Sequence, residues 1–210
     1  MDPSFGEFVG GALRLDRATF DLAEHSPFGL RVALTVLLLA GASETLGQAV
    51  VLVLNRVSKR RFALALVLGG LELVFEALVW IAIVWLLAGP FGGERASFLP
   101  AVRVLGLAYA PLLFGVLVFL PYIGPVLARL LRVWVLLAVV TGTSVVFGLV
   151  PMVAAVAAVT GFLARWLLLR LFGQLGNTAN RWLWRTSTGQ TAPLRSTDEL
   201  RPLGSNEQRG

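Results

Sequence analysis

The chain has 210 residues, 57% of them hydrophobic and 14% charged, with a mean hydropathy of +0.79; soluble domains carry about a quarter charged residues. That balance argues against a soluble globular domain and predicts an all-α, polytopic membrane helix bundle, for which the 22 glycines and six tryptophans supply packing faces and interfacial anchors. Cysteine is absent, which excludes disulfides, thiolate metal sites and cysteine nucleophiles.

Residues 1–28 are mixed and acidic (Asp2, Glu7, Asp16, Asp21, Glu24), unlike the basic region and short apolar core of a cleavable signal peptide, and none is expected. Phe5, Phe8, Val9, Ala12, Leu13, Leu15, Phe20 and Leu22 recur at helical spacing, which predicts one or two short amphipathic helices on the bilayer surface. Gly10-Gly11 is the expected break, and a loosely ordered tail is the alternative. The membrane domain, 29–172, is then read as five spans. The first, about 29–54, opens after Ser26-Pro27 and carries Glu44 and Gln48, with Ser43 and Gly47 as a small-xxx-small pair. A loop with four positive charges, Arg56, Lys59, Arg60 and Arg61, leads into the second span, about 62–87. Its 26 residues reach about 39 Å as a helix, enough to cross about 30 Å of hydrocarbon.

That second span contains Glu72 and Glu76, four apart and so near one face. The third span, about 98–120, holds Arg103 near its start and Pro111 inside, where a kink is expected. Pro121 to Pro125 form a reversal, and the fourth span, about 126–149, begins with Arg129 and Arg132 and includes Thr141-Gly142-Thr143-Ser144. The fifth, about 152–172, has small pairs Ala154/Ala158 and Ala157/Gly161, then Arg165 and Arg170. Residues 173–210 read as a polar, largely disordered tail with Trp182 and Trp184 as an interfacial anchor.

Five spans put the termini on opposite sides. Thirteen of the 18 basic residues fall on the side of the 55–61 loop and the tail. The positive-inside rule therefore predicts a cytoplasmic C-terminus and an external N-terminus, in a bacterial inner or internal membrane.

Leu107-Ala108-Tyr109-Ala110-Pro111-Leu112-Leu113, then Leu120-Pro121-Tyr122-Ile123-Gly124, then the helix with Thr141-Gly142, resembles the Yip domain family, over roughly 20–172. Tyr109, Pro111, Pro121 and Gly124 are the family-like residues. Asp21-Leu22 with Pro27-Phe28-Gly29 is similar to the family's Asp-Leu-x-Gly-Pro-Phe segment, although three residues intervene and the glycine before proline is absent. The resemblance implies a five-helix membrane domain without assigned catalysis, whose eukaryotic members are named as partners of Ypt/Rab GTPases. Those members keep the N-terminus cytosolic, opposite to the charge count. The short N-terminal segment leaves little room for a GTPase-binding region, so that activity is not carried over.

The constellation that stands out is an intramembrane charge network of Glu44, Gln48, Glu72, Glu76, Arg129, Arg132 and Arg165. Glu72 and Arg165 lie at overlapping depths and are the expected pair, with Gln48 or Thr141 adding hydrogen bonds. The structural reading is that such pairs order the bundle; the second is a proton or ion path; the third is contact with a lipid headgroup or a partner subunit. His25, the sole histidine, sits with Asp21 and Glu24 and reads as an interfacial polar residue rather than a metal ligand. No phosphate-binding loop, metalloprotease motif or serine–histidine pair on the spans is present, so neither cofactor nor catalysis is expected. The expected partners are the bilayer and a second membrane protein or another copy, not nucleic acid. The resulting expectation is a non-catalytic adaptor, membrane organiser or accessory subunit, with a small proton- or ion-coupled transporter as the alternative.

Overall fold

The computed structural model describes residues 4–54, 59–88, 97–120 and 122–188. The chain divides into two units, Met1–Trp166 and Leu167–Gly210. In the second, residues 167–188 are helical.

Two short helices open the chain, α1 (Phe5–Leu13) and α2 (Arg17–His25). Ser4 and Glu7 form a reciprocal cap: the Glu7 amide donates to Ser4 Oγ at 3.3 Å and the Ser4 amide to the Glu7 carboxylate at 2.6 Å. Asp16 caps α2 by accepting from the Ala18 amide at 3.2 Å and the Thr19 hydroxyl at 2.9 Å. Gly10-Gly11 does not break the segment. Both glycines lie inside α1, and the turn falls at Leu15, whose φ of 60° is left-handed. At Gly11 a Cβ would collide with the Thr19 side chain, so the missing side chain lets α2 fold back across α1.

These helices do more than rest on a surface. Phe8, Ala12, Phe20 and Ala23 are fully buried. Trp134 Nε1 donates to the Leu13 carbonyl at 3.0 Å and the Arg17 guanidinium donates to Ser144 Oγ at 2.9 Å. Those two contacts are ten residues apart on one helix, so the pair is anchored along about 15 Å of it.

Among the described residues, five helices or helix pairs are long and apolar enough to cross a membrane: Gly29–Gly47, Phe62–Ala88, Phe98–Phe119, Gly124–Val146 and Pro151–Leu168. They lie in α3 (Gly29–Leu54), α4 (Lys59–Ala88), α5 (Phe98–Leu107) with a following 3₁₀ helix (Ala110–Phe119), α6 (Gly124–Val146) and α7 (Pro151–Thr188). The five-span, all-helical membrane bundle therefore stands. Its boundaries shift: α6 begins and ends earlier than expected, and the chain turns through Gly148 at φ 61°. Helix α7 continues to Thr188, through Trp182 and Trp184, where a polar tail was expected; residues 189–210 lie outside the described residues.

The third span departs most from expectation. A kinked helix becomes two elements, α5 and a ten-residue 3₁₀ helix, long for a type usually limited to three or four residues. Pro111 sits at its start, where a missing N–H costs nothing. Ser43 of α3 ties the segment down: its hydroxyl donates to the Leu113 carbonyl at 2.8 Å and accepts from the Val116 amide at 2.8 Å. Close approach is built from small residues. A Cβ on Gly41 would lie 2.5 Å from the Gly69 carbonyl of α4, and one on Gly115 would lie 2.7 Å from Glu44 Cγ. On α7, Ala154, Ala157, Ala158 and Gly161 are buried, and Trp80 Nε1 of α4 donates to the Ala158 carbonyl at 3.2 Å, so this small-residue stripe serves internal packing.

Candidate functional site: a charged cavity inside the bundle

Four of the expected network residues converge. Glu44 lies 15 residues after the start of α3, Glu76 12 before the end of α4, Arg132 14 before the end of α6 and Arg165 14 after the start of α7. At 1.5 Å per residue all four sit about 18–22 Å along their helices from the same side of the bundle. Together with Tyr109, Trp80 and Phe162, among others, they line one cavity of about 470 Å³.

Within it the Arg165 guanidinium donates to Glu76 Oε2 at 2.7 Å, and the two side chains are 17% and 34% exposed. The cation also lies 5.4 Å from the centre of the Phe162 ring and 5.9 Å from that of Trp80. Those rings meet edge-on at 5.6 Å, and Trp80 meets Tyr109 edge-on at 6.1 Å. Arg165 Nε is buried without a hydrogen bond among the described residues. Tyr109 is buried and lines this cavity with Glu44, Glu76, Arg132 and Arg165. The lining named above offers carboxylates, guanidinium groups and aromatic faces, a set suited to holding ions and charged groups.

The expected Glu72–Arg165 pair is not formed; Arg165 pairs with Glu76 instead. Glu72 is exposed on the outer face of α4, and Arg129 is exposed and outside the cavity lining. The 40° rotation between residues four apart is enough to carry one acid out of the bundle and leave the other at its inner edge. Thr141 does not reach these acids, donating instead to the Leu137 carbonyl of its own helix at 3.0 Å. The Gln48 side chain and Pro121 lie outside the described residues. Of the family-like residues, Tyr109 forms a cavity wall, Pro111 starts the 3₁₀ helix, and Gly124 is buried where a Cβ would collide with the Val118 carbonyl. Sequence reasoning missed Trp80 and Phe162 as partners of the charge pair. The available signal was their spacing: Trp80 is four residues after Glu76, and Phe162 three before Arg165.

Arg103, near the start of the third span, donates to the Glu24 carbonyl at 2.9 Å. It thus places a cation at the C-terminal end of α2. Nearby, ligand atoms of Asp21, Glu24 and His25 lie within 4.8 Å of one another at the surface. His25 Nδ1 is 3.0 Å from the Asp21 carbonyl. That hydrogen bond, followed by the charge of Glu24, holds the imidazole above its usual pKa of 6.5. No protein-family model, curated protein or solved structure matches this chain.

Proposed function

We propose that this chain is a non-catalytic integral membrane protein of the Yip type, serving as an adaptor, membrane organiser or accessory subunit of a membrane complex. Glu72 carries this reading. It is exposed near the middle of α4, on a face otherwise formed by Leu64, Leu68, Leu71 and Phe75, each between 53% and 63% exposed. A carboxylate facing hydrocarbon at a helix centre costs about 2.5–3.5 kcal/mol on an insertion scale. A second membrane helix with a cation or hydrogen-bond donor at matching depth would remove that cost. The Yip-like Tyr109, Pro111 and Gly124 support the same reading. In this reading the basic stretch 55–61 and residues 189–210 face the cytoplasm of a bacterial inner or internal membrane.

The cysteine-free chain makes the test direct. Leu68→Cys, labelled with a photo-crosslinker in native membranes, should give one discrete larger species that is lost in Glu72→Leu. A doubled mass identifies a second copy, and another mass a different subunit. Monomer alone, or an adduct indifferent to Glu72, would overturn the proposal.

A second reading, a small proton- or ion-coupled transporter, is supported by the cavity and by the break between α5 and the 3₁₀ helix. An odd number of spans without a visible inverted repeat weighs against it. Purified protein in liposomes that moves protons or ions, and stops on Glu44→Gln, would select it.

A further inference from the structure

The cavity holds charge that the Glu76–Arg165 pair does not use. Glu44 and Arg132 line the same space, yet neither has an ion pair within 4.0 Å among the described residues. We propose that this cavity is a binding site for a zwitterionic group, its ammonium on Glu44 and its anionic end on Arg132.

Charge balance carries the choice of ligand. The lining has two carboxylates and two guanidinium groups. A lone anion at Arg132 would face Glu44 and Glu76, and a lone cation at Glu44 would face Arg132 and Arg165. A group bearing both charges answers both residues and leaves the site neutral, as a low-dielectric surrounding demands. Burial sets its direction. Arg132 is exposed whereas Glu44 is partly buried, so the anionic end lies at the mouth and the ammonium inside. Tyr109 and Trp80 supply aromatic walls for that ammonium. The volume falls in the range of about 300–1,000 Å³ that small-ligand sites occupy. Two sources share this chemistry, an aminophospholipid headgroup and a free small zwitterion. The site is separate from the outer face of α4 carrying Glu72, so the two proposals fail independently.

The test uses the full chain in nanodiscs. In the lipid arm, equimolar phosphatidylethanolamine and phosphatidylglycerol are supplied and retained lipid is read by native mass spectrometry. In the free arm, nanodiscs of phosphatidylglycerol alone are titrated by calorimetry with glycerophosphoethanolamine, a soluble phosphodiester whose single negative charge balances its ammonium. Binding in the lipid arm only assigns the headgroup; binding in the free arm assigns a soluble zwitterion. In either case Glu44→Gln and Arg132→Gln should each weaken binding about tenfold or more, the loss expected for a hydrogen bond to a charged group. Arg129→Gln, an exposed arginine outside the cavity lining, should leave it unchanged. If Glu44→Gln fails to fold, Arg132→Gln at its exposed position carries the test, with folding checked by gel filtration. No binding in either arm, equal retention of both lipids, or equal loss in Arg129→Gln and Arg132→Gln would overturn the proposal.

Discussion

Replacing Arg165 by glutamine should be the most damaging single change at the charged cavity. It leaves Glu76 without its 2.7 Å partner inside the bundle and removes a cation held between Trp80 and Phe162. Removing one member of a buried pair costs about 3–5 kcal/mol. Glu76 is 34% exposed toward the cavity, which sets the expected loss near the lower bound. Glu76→Gln keeps an acceptor for the guanidinium, and Arg165 keeps its two rings, so about 1.5–3 kcal/mol is expected, the range for a hydrogen bond to a charged group. The double variant should recover about 2 kcal/mol relative to the sum of the singles, as neighbours in one network do. Glu72→Gln should change the stability of the isolated chain by no more than about 0.5 kcal/mol, because Glu72 faces outward. Reversible unfolding in mixed micelles of rising SDS fraction, followed by circular dichroism, measures all four. Additive losses at residues 76 and 165, or a Glu72→Gln loss as large as that of Glu76→Gln, would refute this assignment of inner and outer acids.

Three further outcomes follow from local geometry. Ser43→Ala removes both hydrogen bonds to the 3₁₀ helix, so a loss of about 1–3 kcal/mol and faster amide exchange at Val116 are expected. Gly41→Ala presses a methyl group on the Gly69 carbonyl and should cost about 1–3 kcal/mol, whereas Gly10→Ala, whose nearest atom is 3.9 Å away, should be neutral or stabilising in thermal unfolding. His25 should titrate above pH 6.5 by NMR, and Glu24→Gln should lower that midpoint. Because the folded value is raised, the stabilisation is complete below pH 6.5 and is lost as pH rises through the folded midpoint; a midpoint at or below 6.5 would contradict the contact.

The spans were readable because length and apolar content alone decide whether a helix can cross a bilayer. That is why the second span, expected at 62–87, is found within Lys59–Ala88. Helix type was not readable. Pro111 announces an interruption, but the 3₁₀ geometry after it depends on Ser43, which is 68 residues earlier and meets it only in the fold. At the N-terminus the caps were present as Ser4…Glu7 and Asp16, while the glycine pair drew attention to the wrong turn. Gly11 serves the crossing of α2 rather than the bend.

The site was legible as a list of residues but not as a set of pairs, and α4 shows why. In water a helix declares its inner face by polarity; in lipid both faces are apolar and the distinction is one of size and fit. The inner face of α4 is Gly70, Leu73, Ala77, Trp80, Ile81, Val84 and Ala88, all buried. Glu76 stands one turn from Trp80 on that side, whereas Glu72 stands one turn from the exposed Leu68. The small residues and Trp80 mark the inner face, and that face separates the two acids. Glu76 finds its cation within the chain, whereas Glu72 faces outward, where the proposed partner helix would meet it.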